Sequence, residues 1–291
     1  MIYEVSHRTV YAYGQPVSVS HHLLHLTPRA SAFQTCRDSA LEIGPAPSVH
    51  ERDVDYFGNP TTFVTIQQSH RRLVLHALSV VQVSPRSLPE PGATPPWEAV
   101  VERLARDRSS EALAALELTF ASPYVPMTPE LQSYAAASFG PGRPVLEAAR
   151  ELTRRIFADF TYEPGSTTLA TSVAECFAMR RGVCQDFAHV MLAALRSLGL
   201  PARYVSGYLL TRPPPGKEKL VGADASHAWV AIWVPEHGWI ELDPTNDSVA
   251  GEEHVTLAWG RDYGDVSPVS GVMFGGGAHT VEVAVDVVPI G

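Results

Sequence analysis

The chain is 291 residues long, carries a formal net charge of −9, and is 45% hydrophobic but only 18% charged. These proportions are those of a soluble globular protein with enough apolar surface for two domains, or for one large domain with an appendage. The acidic balance, without any Lys/Arg cluster, excludes a nucleic-acid surface, and no apolar run reaches the roughly 18 residues of a membrane span.

Residues 1–8 alternate like a strand and lack the apolar stretch of a signal peptide, so a cytoplasmic location is expected. Residues 1–87 read as β. Tyr3, Val5, His7, Thr9 and Tyr11 alternate with polar or small neighbours, residues 63–66 and 73–78 look like further strands, and Phe57-Gly58-Asn59-Pro60 reads as a turn. An antiparallel β-sandwich is expected there. Residues 87–96 carry four prolines, the clearest linker in the chain. It introduces a segment of linker and helix over 88–144, whose helical part runs from Trp97 towards Glu117.

Residues 145–250 mix helix and strand, which makes the whole an α+β protein. A helix over 145–157 places Leu146, Ala149, Leu152 and Ile156 on one face. Ser172-Val173-Ala174-Glu175 fits a capping box for the next helix, which is expected to end before Gly182. A further helix starts near Cys184, keeps Phe187, Met191, Leu195 and Leu198 at helical spacing, and stops at Gly199 and Pro201. The period then changes to two. Residues 204–210 read as a strand, residues 213–217 as an exposed excursion, and residues 227–234 and 239–243 as a hairpin across Pro235-Glu236-His237-Gly238. Residues 251–291 add strands near 255–257 and 280–287 that complete the fold.

The chemistry concentrates in three islands: Arg181-Gly182-Val183-Cys184-Gln185-Asp186-Phe187-Ala188-His189, Ser226-His227-Ala228-Trp229 and Glu241-Leu242-Asp243-Pro244-Thr245-Asn246. A thiol, an imidazole and a carboxylate in this setting suit a nucleophile, its base and the group that orients the base. Cys184 falls in the first turn of its helix, where unpaired N–H groups and the positive end of the dipole favour a negative sulfur. His227 interrupts an otherwise apolar strand and needs a partner, and Asp243 closes the next strand. The expected bond runs from His227 Nδ1–H to Asp243, leaving Nε2 for the sulfur. For the two side chains to share a face of the hairpin, the loop must have an odd number of residues, centred on Pro235, or contain a bulge. Trp229 and Trp233 share that face and are candidate walls of the site. The Cys184 N–H is one expected oxyanion donor, and Tyr162 is a candidate second. Gln185 is expected to point elsewhere, and Asp186 and His189 to fix neighbouring loops. Cys36 and Cys176 read as small buried hydrophobes.

These islands resemble the core motifs of the transglutaminase-like superfamily. The likeness extends to Asp55-Tyr56-Phe57-Gly58-Asn59, similar to a motif of the β-rich N-terminal region of its bacterial members, and to Gly260-Arg261-Asp262-Tyr263-Gly264-Asp265-Val266 after the core. The resemblance implies a papain-like core, with Cys184 on a helix packed against an antiparallel sheet carrying His227 and Asp243. It also implies thiol acyl transfer on an amide, with a protein or peptide as substrate. Gln185 stands where the animal enzymes carry tryptophan, and no acidic calcium cluster is recognisable. A cysteine peptidase or amidase is therefore favoured over calcium-dependent cross-linking, with no cofactor or metal. Two other readings remain: a scaffold with a papain-like core and no turnover, and metal binding by His21, His22 and His25. The sequence does not give an oligomeric state.

Overall fold

The computed structural model describes residues 1–211 and 226–291. The expected excursion at residues 213–217 lies outside the described residues.

The N-terminal region is antiparallel throughout. β1 (Ile2–Leu24) is followed by β2 (Gln34–Gly44), β3 (Val49–Val54), β4 (Pro60–Ile66) and β5 (His70–Val83). β1 is 23 residues long, far beyond the alternation visible in its first half. Its length lets it change partners. The first half lies between β5 and the last strand, β14 (His279–Pro289), and the second between β4 and β13 (Val269–Gly275). In place of the two separate sheets of the expected sandwich, β1 joins seven strands in one sheet. Strands from both halves close on a cluster that includes Tyr13, Val17, Leu24, Val64, Ile66 and Leu73. The C-terminal strands β13 and β14 complete this N-terminal sheet.

The helical segment is more broken than its periodicity suggests. α1 (Trp97–Arg106) and α2 (Ser110–Glu117) are separated where Asp107 Oδ1 accepts the Ser109 N–H at 2.8 Å and Ser109 caps α2. α3 (Pro129–Ala136) was not anticipated; Thr128 caps it and Pro129 begins it, a standard helix start in a short sequence. α4 (Val145–Asp159) runs to a two-residue strand, β6 (Thr161–Tyr162). α5 (Val173–Met179) carries the expected capping box between Ser172 and Glu175. β7 (Arg181–Gly182) pairs in parallel with β6.

α6 (Cys184–Ser197) is the central helix, buried continuously from Asp186 to Arg196. It packs against α3 on one side and, on the other, a five-stranded sheet. That sheet contains β8 (Ala202–Leu209), β9 (Ser226–Val234), β10 (Gly238–Asp243), β11 (Ser248–Val249) and β12 (His254–Gly260), in the order β11-β10-β9-β8-β12. A helix buried all round needs an abrupt end. Here Gly199, at φ +79°, donates to Arg196 O at 2.9 Å and Leu200 to Leu195 O at 3.2 Å, the paired bonds of a left-handed cap. A short helix, α7 (Tyr263–Val266), links β12 to β13.

The two regions are fastened by polar groups. Asp55 Oδ1 accepts from the Phe57 and Asn59 amides and shapes the expected turn. Buried Asn59 then donates to Trp259 O at 2.8 Å and accepts the Trp259 N–H at 2.9 Å. The Arg29 guanidinium, bound to Asn59, lies over the Trp259 ring. The turn motif is therefore a clamp onto β12.

Gly207, in the middle of β8, is the tightest point of the core sheet. A Cβ there would lie 2.1 Å from Val255 O and 2.5 Å from the Trp229 ring. Backbone cannot yield as a side chain does. Gly207→Ala is expected to destabilise the protein by about 3 kcal/mol, read as a lower denaturant midpoint.

Candidate active site

The sheet and α6 bring the three islands together. Val183 precedes α6 in extended conformation, and its N–H is held by Asp186 Oδ2 at 2.8 Å. The same oxygen accepts from Thr167 Oγ1 at 2.6 Å. The Asp186 side chain folds back so closely that a Cβ on Gly182 would lie 2.7 Å from Oδ2 and 2.8 Å from its Cβ. Glycine at 182 is thus what lets the helix begin with Cys184 in its first turn. Asp186 and His189 fix loops as expected, His189 accepting the Tyr263 N–H at 3.2 Å between the rings of Tyr124 and Tyr204. Burial holds the His189 imidazole down at about 4.

The hairpin loop is odd, as the shared face requires. β9 and β10 pair Val234 with Gly238 and Trp233 with Trp239, leaving Pro235, Glu236 and His237 as a three-residue loop. Its centre is Glu236, at φ +69°, one residue beyond the expected Pro235. Asp243 consequently continues the register opposite Trp229, and His227 reaches it diagonally on the same face. His227 Nε2 lies 2.7 Å from Asp243 Oδ2. This corrects the expected tautomer: Nε2, not Nδ1, faces the carboxylate. Nδ1 is left on the side of Cys184, which lines the same cleft and whose sulfur, when negative, favours the charged ring.

Asp243 is fully buried and saturated. Oδ1 accepts the Thr245 N–H at 2.9 Å, and Oδ2 accepts from Asn246 Nδ2 at 2.7 Å and from His254 Nε2 at 3.3 Å. Burial works against its charge, but the bonds from His227, His254 and Asn246 outweigh it and hold the carboxyl well below the usual range. For His227, burial likewise disfavours the charged form. The bonds to Asp243 and Cys184 prevail and lift the imidazole to about 10.

His254 was missed by the sequence reading. It stands at the start of the apolar strand β12, the same signal that singled out His227. Together with His227 and Asp243 it forms the one group of His, Cys, Asp or Glu side chains among the described residues with metal-ligand spacing. Its Nδ1 accepts the Gly251 N–H at 3.3 Å. That bond puts the proton on Nε2, where a metal would need a lone pair, so the cluster fits a hydrogen-bonded relay rather than a metal centre. The other metal candidates do not converge. His21 bonds Thr65, His25 bonds Asp55 and Ser267 O, and burial depresses His22 to about 4.

The tryptophans are not walls. Trp229 lies beneath the site, stacked on His227 at 5.9 Å and edge-on to His254 at 5.1 Å. Its Nε1 is pinned to Glu241 Oε2 at 2.8 Å. Trp233, four residues on, is buried elsewhere and donates to Glu111 at 3.0 Å. Neither lines the cleft: further along β9 than His227, both rings are buried and pinned to carboxylates, Trp229 to Glu241 and Trp233 to Glu111. Tyr162 pairs with Gly182 beside the nucleophile helix and lies close enough to Cys184 for a negative sulfur to help burial raise its phenol.

A cleft of about 420 Å³ opens over Cys184 and His227. Gln185, expected to turn away, is part of its lining. A second cavity of about 360 Å³ beside α4 is lined by charges such as Arg143, Glu147 and Glu151, with neither cysteine nor histidine in its lining.

Comparison with known proteins places the chain in a family. Residues 3–82 match the family described as the bacterial transglutaminase-like N-terminal region, and residues 132–244 match the transglutaminase-like superfamily. An uncharacterized protein of Mycobacterium tuberculosis (strain ATCC 25618 / H37Rv) is 42% identical over 298 residues, covering 99% of this chain and 92% of its own. A protein-glutamine gamma-glutamyltransferase of Pseudomonas aeruginosa is 36% identical over 102 residues, 32% of this chain and 15% of that enzyme. A crystal structure of a candidate cysteine protease from Cytophaga hutchinsonii shares the fold, with a TM-score of 0.75 over 100% of this chain and 92% of that one at 22% identity.

Proposed function

Since the chain belongs to the transglutaminase-like superfamily, we propose that it is a thiol acyl-transfer enzyme acting on amide or peptide bonds, with Cys184 as nucleophile, His227 as acid and base, and Asp243 orienting His227. The observation that carries this reading is His227 held between the sulfur and a buried carboxylate, its imidazole raised to about 10 by both. An imidazolium at neutral pH is the counter-ion a thiolate needs.

The thiolate attacks the carbonyl carbon, and the oxyanion forms near the Cys184 N–H, which has no acceptor within the first turn of a helix. Tyr162 is the candidate second donor. The C–N bond breaks as imidazolium His227 gives its proton to the departing amine, leaving a thioester. Neutral His227 then takes a proton from the incoming nucleophile. We assign that role to water, which makes the protein a peptidase or amidase acting on a protein or peptide in the cytoplasm. A primary amine is the second reading, favoured by the likeness to the Pseudomonas aeruginosa transferase.

Iodoacetamide tests the proposed nucleophile. At pH 6, Cys184 is expected to label at least about tenfold faster than the other two cysteines. Burial pushes the Cys176 thiol up to about 12 and also raises Cys36. Equal labelling of all three, read by mass spectrometry, would remove the ion pair and favour a scaffold without turnover.

A further inference from the structure

The cleft has two sides, and only one belongs to the core. Cys184, Gln185, Tyr204 and His227 line one; His7, Thr9 and Tyr11 of β1 and Val281 and Val283 of β14 line the other. The register explains how. β1 and β14 pair His7 with Val285, Thr9 with Val283 and Tyr11 with Val281. Directly paired residues share a face, so all six side chains form two columns on one surface of the N-terminal sheet.

That surface changes character along the strands. At one end His7 is buried and bonds Tyr208 of the core at 2.8 Å, with Thr9 at 2.9 Å on its other nitrogen. Its partner Val285 is fully buried. The columns then run out from under the core. Val283 is 55% exposed and Val281 46%, beside the Tyr11 ring, in the same cleft as the nucleophile. Exposed apolar side chains that face a reactive group in a concave site are an unfilled contact surface.

We propose that the N-terminal sheet is one half of the substrate site, and that Tyr11, Val281 and Val283 form an apolar subsite selecting polypeptides with an aromatic or large aliphatic side chain next to the reacting carboxamide. The proposal rests on Cys184 being the nucleophile. Burying one such side chain against this surface favours it over a charged one by at least about tenfold.

The test uses N-iodoacetyl derivatives of phenylalaninamide, glutamic acid amide and lysinamide. Each second-order rate at Cys184 is divided by the same protein's rate with iodoacetamide. In the wild type the phenylalanine probe is expected to lead both charged probes by at least about tenfold. Val281→Thr/Val283→Thr keeps side-chain shape and strand preference and is expected to cut that lead to about threefold or less. Val283→Glu is expected to make the lysine probe the fastest. No lead in the wild type, or an unchanged lead in both variants, overturns the subsite while leaving the nucleophile intact. If iodoacetamide itself does not single out Cys184 at pH 6, the functional reading fails and the subsite with it. Thermal unfolding of each variant checks that the sheet still forms.

Discussion

Cys184→Ala is expected to lower kcat by at least about 10⁴-fold for both cleavage of a peptide library and incorporation of a labelled primary amine, with a thermal midpoint close to that of the wild type. The asymmetry between activity and stability follows from where the sulfur sits. Cys184 is half-buried at the first residue of α6, and the helix is held by Val183 N–H on Asp186 and by the packing of Phe187 to Leu195, none of which needs the thiol. Losing it removes the attraction between the sulfur and His227, worth about 1 kcal/mol. Activity has no second route, because neither Cys36 nor Cys176 lines the cleft. The same assay separates the acceptors. Cleavage without amine incorporation by the wild type identifies water, and incorporation identifies a transferase. Activity that survives in Cys184→Ala would end the proposed mechanism.

Asp243→Asn is expected to reduce kcat by about 10³–10⁴-fold and, unlike the first variant, to destabilise the fold by about 3–5 kcal/mol. Asp243 is fully buried, and its Oδ2 serves His227, Asn246 and His254 together. An amide that keeps an oxygen towards His227 must aim its NH₂ at groups that are already donors. The imidazolium then loses its counter-charge in a buried place.

The pH dependence has a definite sign. His227 is raised in the folded state, so its contribution is fully present below its ordinary value near 6.5 and is lost as pH rises through about 10. Asp243 is depressed, so its contribution is present above the ordinary carboxylate range and is lost only in stronger acid. The stability gap between wild type and Asp243→Asn should therefore be widest between about pH 4 and 6.5 and narrow towards pH 10. Denaturation at pH 5.5, 8 and 10 reads it. A gap that does not narrow would mean that His227 carries no charge at pH 5.5.

The relay was half legible in the chain. Cys184 announced itself through Gly182 and the helix start, and His227 through its place in an apolar strand. Asp243 stood out as the carboxylate that closes the next strand, which required an odd loop or a bulge, and the odd loop is there. Parity could not say which residue is central, and the one-residue shift to Glu236 makes the contact diagonal rather than direct. The diagonal approach is what turns Nε2 to the acid. His254 needed the order β8-β12, a pairing between strands separated by the hairpin, which no local pattern encodes. Parity also misplaced the tryptophans. They share the parity of His227, but that face leaves the cleft after His227, and both rings are buried against Glu241 and Glu111.

By itself, the sequence determined what is local: the helix that starts at Cys184, the capping box at Ser172, the turn at Phe57-Gly58-Asn59-Pro60 and the hairpin after His227. These depend on a few neighbouring residues and on the periods of helix and strand. Only the tertiary structure decided that β13 and β14 return to pair with β1, so that the two ends of the chain build one sheet and that sheet faces the nucleophile. Pairings between strands at opposite ends of the chain are selected by burial over the whole molecule, where the local trace is a strand with an apolar face and no stated partner.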